Sequence, residues 1–162
     1  MNKPRIPRGV RNNNPLNIRY VERNKWKGRV ARKSDKDFEE FKSMKYGYRA
    51  AFILLHHYMN LYNLHTILDI VSRWAPQADG NNTIAYANTV SQKTGIPIQQ
   101  EVTFTDWRAM VRIVRAMSEV ENGVDMSYTE ALCGYFAAAR NFNYNDAAAE
   151  AEEHYYELLM TP

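Results

Sequence analysis

WRAMVRIVRAMSEVENG, residues 107–123, decides the fold class. At about 100° per residue, Met110, Val114, Met117 and Glu121 share one narrow stripe, with Trp107 close beside it. Such a stripe predicts a helix packed on a core, opened by Thr105 or Asp106 and closed at Asn122-Gly123. The same period recurs outward from it. In GYRAAFILLHHYMNLY, residues 47–62, Ala51, Leu54, Leu55 and Tyr58 take the i, i+3, i+4, i+7 positions of a packed helix. A shorter helix runs from about Thr66 to Trp74 and stops at Ala75-Pro76. Asn82 caps one that ends at Gly95, Ser127 with Glu130 makes a capping-box pattern for another, and Asn145 caps an Ala-rich one to about Leu159. Residues 1–46, rich in Asn, Pro, Arg and Lys, show no helical period and read as loops and short extended pieces. The expectation is one mainly α domain over residues 1–162, with an irregular basic region (1–46) and a helical region (47–159). Residues 96–103 are too short a linker to argue two domains.

Glu121 stands out because it occupies the apolar stripe, whereas Glu119 lies on the opposite side of the same helix, where a glutamate is expected. Desolvation, the carbonyls of a helix C-terminus and scant local positive charge together favour the protonated form near neutral pH. A carboxylic acid kept protonated there suits donation of a proton to a glycosidic oxygen. The alternative is an ion pair with one of the many N-terminal arginines, in which Glu121 is purely structural. Periodicity leaves both open.

Composition narrows the class further. Apolar residues make up 45% and charged residues 24% of the 162, an ordinary globular balance that excludes disordered and collagen-like chains. No apolar run has spanning length, and the start, MNKPRIPRGVRNNN, has a basic flank without an apolar core behind it. Neither a membrane span nor a secretory signal is expected, which implies synthesis in the cytoplasm. A lone cysteine, Cys133, rules out an internal disulfide, and His56, His57, His65 and His154 do not fall at metal-binding spacing. No metal or organic cofactor is expected. The net charge of +3 conceals an asymmetry: residues 1–49 hold 15 Lys/Arg against 5 Asp/Glu, and residues 101–162 hold 4 against 11. Either the two ends attract each other in the fold, or the first forms a basic face for a polyanion.

The string RGVRNNNPLNIRY, Arg8 to Tyr20, carries a resemblance. With Trp26-Lys27-Gly28, Phe38-Glu39-Glu40-Phe41, Gly47-Tyr48-Arg49-Ala50, Arg73-Trp74-Ala75-Pro76 and Tyr86, it resembles a family of phage and prophage proteins from gut Bacteroidetes and other bacteria. Members look lysozyme-like and are often described only as phage structural proteins. The likeness covers about residues 8–123 and departs from the family pattern at Leu16, where glycine is usual. A second likeness is to wall glucosaminidases of the lysozyme superfamily, in which a helix ending in Glu-Ser-Gly precedes an Asn-Asn-Leu-Phe-Gly-Ile-Lys stretch, an aromatic strand segment and a Tyr-Ala pair. Here Asn13 to Arg19 resembles the Asn-Asn stretch, Phe38 to Phe41 the strand and Tyr86-Ala87 the pair. Met117 to Gly123 resembles the catalytic helix end, moved to the other side of the chain as in a circular permutation.

The resemblance implies a lysozyme-like fold and cleavage of the glycan strands of peptidoglycan, by a lytic transglycosylase, glucosaminidase or muramidase reaction, with Glu121 as the acid. Tyr86 would position an N-acetyl group or a water. Asn12, Asn13 and Asn14 are candidate ligands for sugar hydroxyls, Arg19 for a substrate carboxylate or Glu121 itself, and Trp26 and Trp74 for sugar faces. Each has a structural alternative: the asparagines can fix an irregular loop, and the aromatic residues can belong to the core. Glu39 and Glu40 read as solvated surface charges, which leaves no second carboxylate and favours a one-glutamate mechanism. The rival is a non-enzymatic virion or nucleic-acid-binding protein in which Tyr20, Trp26 and Tyr48 stack on bases along the basic segment. That rival leaves Glu121 unexplained, so nucleic acid is the less favoured partner, with virion components and the cell wall the favoured ones. Tyr48 is counted among the substrate-binding candidates on the same grounds.

Overall fold

A computed structural model describes residues 5–161; Lys3, counted above in the basic balance, lies outside them. Among the described residues the chain forms α1 (Arg8–Arg11), α2 (Met44–Tyr62), α3 (Ile67–Trp74), α4 (Thr83–Thr94), α5 (Trp107–Asn122), α6 (Tyr128–Asn141) and α7 (Asn145–Met160), with a 3-10 turn at Gln77–Asp79. The mainly α expectation holds, and no described helix is long and apolar enough to cross a membrane.

The helix starts follow from local chemistry. Thr66, Asn82, Asp106 and Ser127 each accept a hydrogen bond from the backbone N–H three residues on, satisfying one orphan donor of the first turn. Gly95 and Gly123 end α4 and α5 in the left-handed conformation. Two boundaries differ from the sequence reading. α2 begins at Met44, because Ser43 is extended and the helix takes in a first turn whose Lys45 and Tyr46 carry no apolar period. At α7 the cap position belongs to Tyr144, with Asn145 as the first helical residue and no side-chain cap.

The core is built where α5 meets its neighbours. Met110, Ile113, Val114 and Met117 of α5 are fully buried in one cluster with Ala87 and Val90 of α4, Leu132 and Tyr135 of α6, and Ile67, Ile70 and Val71 of α3. The α2–α6 crossing is close because Gly134 faces Tyr48, where a Cβ would run into the Tyr48 backbone and side chain. Phe52 meets Tyr135 edge to face at 5.4 Å, and the Tyr135 hydroxyl donates to the Phe104 carbonyl at 2.8 Å.

The irregular region is ordered by a ladder too short to form strands. Residues 37–42 run between two other stretches, with Glu39 N–H donating to Ile18 O, Tyr20 N–H to Asp37 O, Val30 N–H to Glu40 O and Lys42 N–H to Gly28 O. Among the described residues two isolated antiparallel bridges result, Arg19 with Phe38 and Arg29 with Phe41. The short strand segments expected over Phe38–Phe41 are these bridges.

Glu39 corrects the reading of the ladder's charges. It is fully buried, not solvated, and Arg29 grips it through two hydrogen bonds of 2.9 and 2.5 Å. The same guanidinium donates to the carbonyls of Val21 and Glu22, tying the outer loop to the ladder. Glu40 closes a turn by accepting from the Ser34 N–H at 2.8 Å and its hydroxyl at 2.9 Å. The charged ends do not pair with each other: among the described residues, no ion pair joins the segment before Ala50 to the one after Gln100. Exposed Arg11, Arg19, Arg23, Lys25, Lys27, Arg32 and Lys36 therefore form an uncompensated basic surface.

Removing one partner of a buried ion pair strands the other in a low-dielectric site. Glu39→Gln is expected to lower the free energy of unfolding by about 3–5 kcal/mol in a denaturant titration. An unchanged midpoint would show that the Arg29 pair does not hold the ladder.

Candidate active site

Glu121 sits in the last turn of α5, one helical step beyond the buried stripe of Met110, Val114 and Met117, and is itself half-buried. It forms part of the wall of a cleft of about 560 Å³. Leu16 to Arg19, Val21, Asn24, Trp26 and Phe38 of the irregular region make one side of that cleft, and Leu54, Tyr58, Trp74, Ala75 and Asn81 the other. Glu121 is the single carboxylate among these residues.

The partners of Glu121 are neutral. Asn17 Nδ2 donates to its Oε1 at 3.3 Å. The Tyr86 hydroxyl lies within hydrogen-bonding reach of the carboxyl and also approaches the Met117 carbonyl at 3.4 Å. Among the described residues no cation forms an ion pair with Glu121. Burial pushes its carboxyl above the usual carboxylate range, and the hydrogen bonds from Asn17 and Tyr86 offset this only in part. Burial, reinforced by the neighbouring Glu121, raises the Tyr86 phenol well above its ordinary value, so Tyr86 is neutral at any physiological pH.

Asn17 is the contact that sequence reasoning missed. It adopts a left-handed backbone, φ 52°, which asparagine tolerates better than most residues. No period carried it: the left-handed turn at Asn17, beside the buried Ile18, breaks the alternation that an extended stretch would have. Leu16, where the family pattern has glycine, needs no left-handed conformation; its side chain fills the core instead.

The three consecutive asparagines divide differently from expectation. Asn12 is buried and donates to Asp35 Oδ2 at 2.9 Å. Asn14 is buried too; its amide donates to the carbonyls of Ile18 and Glu39 and its oxygen accepts the Ile18 N–H. Asn13 takes a left-handed turn, φ 51°, and donates to the Phe41 carbonyl at 3.0 Å. None of the three lines the cleft, because each side chain is consumed by the backbone or by Asp35. Arg19 and Glu121 both line the cleft, and Asn13 does not.

Tyr48 also leaves the list of contact residues. It is fully buried, its hydroxyl meets Ser118 Oγ at 2.8 Å, and burial pushes its phenol up to about 12. Trp26, Trp74 and Arg19 do line the cleft. Glu119 faces away from it but is not idle: it accepts the Met126 N–H at 3.2 Å and lies 3.6 Å from Lys93.

Two arginines frame the mouth, stacked on one ring. Arg8 lies 4.2 Å and Arg19 4.9 Å from the Phe38 centroid. Arg8 spends its edge on Asp35, through bonds of 2.6 and 2.7 Å. That guanidinium, with Asn12 and two backbone N–H groups, holds the Asp35 carboxyl well below the usual range.

No protein-family model matches the chain. Over 118 residues it is 41% identical to Protein P5 of Pseudoalteromonas phage PM2, an alignment that spans 72% of this chain and 71% of that protein. The phage affiliation expected from the Arg8–Tyr20 motif rests on this match. Identity of that degree over more than two thirds of both proteins makes the chain a member of the phage protein family that includes Protein P5 of PM2.

Proposed function

We propose that this protein cleaves the glycan strands of peptidoglycan with Glu121 as its one catalytic carboxylate. The observation that carries the reading is a half-buried glutamate in a cleft, hydrogen-bonded by neutral groups and free of any ion pair among the described residues. Protonated Glu121 would give its proton to the glycosidic oxygen as the C–O bond breaks, so that the departing sugar leaves as an alcohol. The oxocarbenium-like centre would be caught by the substrate's own acetamide oxygen, giving an oxazolinium that water opens to a reducing end while its proton goes to Glu121, or by its 6-hydroxyl, whose proton then returns to Glu121. The second route is lytic transglycosylation and gives an anhydro sugar. With no second carboxylate in the cleft wall, a substrate-assisted route fits better than a protein nucleophile.

Other features support the same reading. Asn17 and Tyr86 flank the acid, and Trp26 and Trp74 offer apolar faces for sugar rings. The Asn-rich loop, downstream of the catalytic helix in wall glucosaminidases, here packs on a helix end a hundred residues later, as a circularly permuted lysozyme-like protein requires. A phage protein that opens the wall would act as a virion component.

A second reading is favoured by the basic surface: a non-enzymatic virion protein that contacts nucleic acid. Counterion release makes such binding fall steeply with salt. On the wall-cleaving reading, DNA affinity measured by fluorescence anisotropy is weak at physiological salt; tight, sequence-independent binding there, with no wall lysis, favours the second reading.

Glu121→Gln keeps the shape of the side chain but has no proton to give. Release of labelled fragments from purified sacculi is expected to fall by about 10²- to 10⁴-fold, as for loss of a general acid. Glu119→Gln, outside the cleft, should leave release within about twofold, since its amide oxygen can still accept the Met126 N–H.

Stability against pH separates an unpaired acid from an ion-paired one. A carboxyl whose folded pKa is raised favours folding most when protonated, and that advantage is lost as pH climbs from the unfolded value of about 4.3 through the folded one. Glu121→Gln should therefore match the parent below about pH 4 and be at least as stable at pH 7. Loss of stability confined to neutral pH would indicate that the carboxylate is paired.

A further inference from the structure

We infer that Arg19 is the anchor for a carboxylate on the glycan, so that the cleft selects acidic wall strands, with their lactyl or peptide carboxylates, over neutral polymers of N-acetylglucosamine. This rests on the reading of Glu121 as the acid and adds the recognition element beside it.

The Phe38 ring holds both arginines of the cleft mouth. Two guanidinium groups lie over it, with their central carbons 4.2 and 4.9 Å from its centroid, a cation–π contact that holds each beside the ring. A guanidinium held by its face still offers its edge, the fork of N–H donors that matches a carboxylate. Arg8 shows what such an edge does here, since Asp35 takes it with two short hydrogen bonds. Arg19 is posed on the same ring and has no such partner: among the described residues, no carboxylate pairs with it.

The position of that free edge is set by the backbone. Arg19 is locked in register by its bridge to Phe38. It follows Asn17 by two residues, and both residues line the cleft. Asn17 touches Glu121, so Arg19 lies one step along the cleft from the acid, and both line it. Arg8, the other cation that lines the cleft, is spent on Asp35, and exposed Arg32 is outside this wall. A solvent-facing guanidinium with no carboxylate partner, beside an acid in a sugar-sized cleft, suits a substrate whose sugars carry carboxylates.

Binding in the Glu121→Gln background reads recognition without cleavage. Co-sedimentation would use purified sacculi, the same sacculi with their carboxyls amidated, and chitin. Arg19→Gln should weaken binding to native sacculi about fivefold, the worth of a solvent-facing ion pair. It should leave the weaker binding to amidated sacculi and to chitin unchanged, and Arg19→Lys should fall between. Arg32→Gln, a loss of equal charge outside the cleft, should change none of them. Equal losses in Arg19→Gln and Arg32→Gln, a loss that persists on amidated sacculi, or no loss at all would overturn the assignment. Carboxylate-dependent binding through Arg19 in a protein that cuts no sacculi would leave this inference standing and remove the catalytic one. Cleavage that is insensitive to Arg19→Gln would do the reverse.

Discussion

The cleft exists because residues 9–18 are seated on the last turn of α5. Asn122 makes the joint: its amide donates to the Pro15 carbonyl at 2.9 Å and back to Ser118 O at 2.8 Å, so one side chain ends the helix and holds the loop. The backbones come close enough for this only because glycine stands at two facing points. A Cβ on Gly9 would strike the Asn122 side chain and the Asn14 carbonyl, and one on Gly47 would strike the Asn13 carbonyl and Pro15. From that joint the loop runs through Asn14, whose side chain bonds three backbone groups, and delivers Asn17 to Glu121. A shift of the joint would move the neutral partner away from the acid and the acid toward water.

Seen from that joint, the division of labour among the asparagines has a physical cause. An irregular loop lacks the regular ladders that satisfy backbone groups, so side-chain amides must do so wherever the loop is buried. Asn12 and Asn14 are buried and therefore consumed, whereas Asn17, at the cleft wall, has an amide N–H left for Glu121. Arg29 and Glu39 do on the far side of the ladder what Asn14 does on the near side, at the cost of burying an ion pair.

How much of this was legible in the sequence depends on the range of the interaction. The stripe of Met110, Val114, Met117 and Glu121, the caps at Thr66, Asn82, Asp106 and Ser127, and the stop at Gly123 are local, and local periodicity and cap chemistry carry them. The place of Glu121 beside the N-terminal loop was reached through resemblance, since a contact between residues 104 apart leaves no periodic trace. Glu39 and Tyr48 were misjudged for one reason: burial in an irregular or crossing region follows from distant partners, Arg29 in one case and Gly134 with Ser118 in the other. Period-2 alternation along Phe38–Phe41 puts Glu39 on the face of the buried Phe41, but its charge argued for water, and only the Arg29 partner lets it go inside.

The family tie to a phage protein and the chemistry of the cleft bear on different questions, one on where the protein works and the other on what it does there. Whether Glu121 acts as an acid on wall glycan is read from mass spectrometry of the products from purified sacculi. Soluble muropeptides with new glycan ends, reducing or anhydro, are expected from the parent protein and none above background from Glu121→Gln. Intact sacculi after prolonged exposure to the folded parent protein, or the same fragments from both proteins, would contradict it.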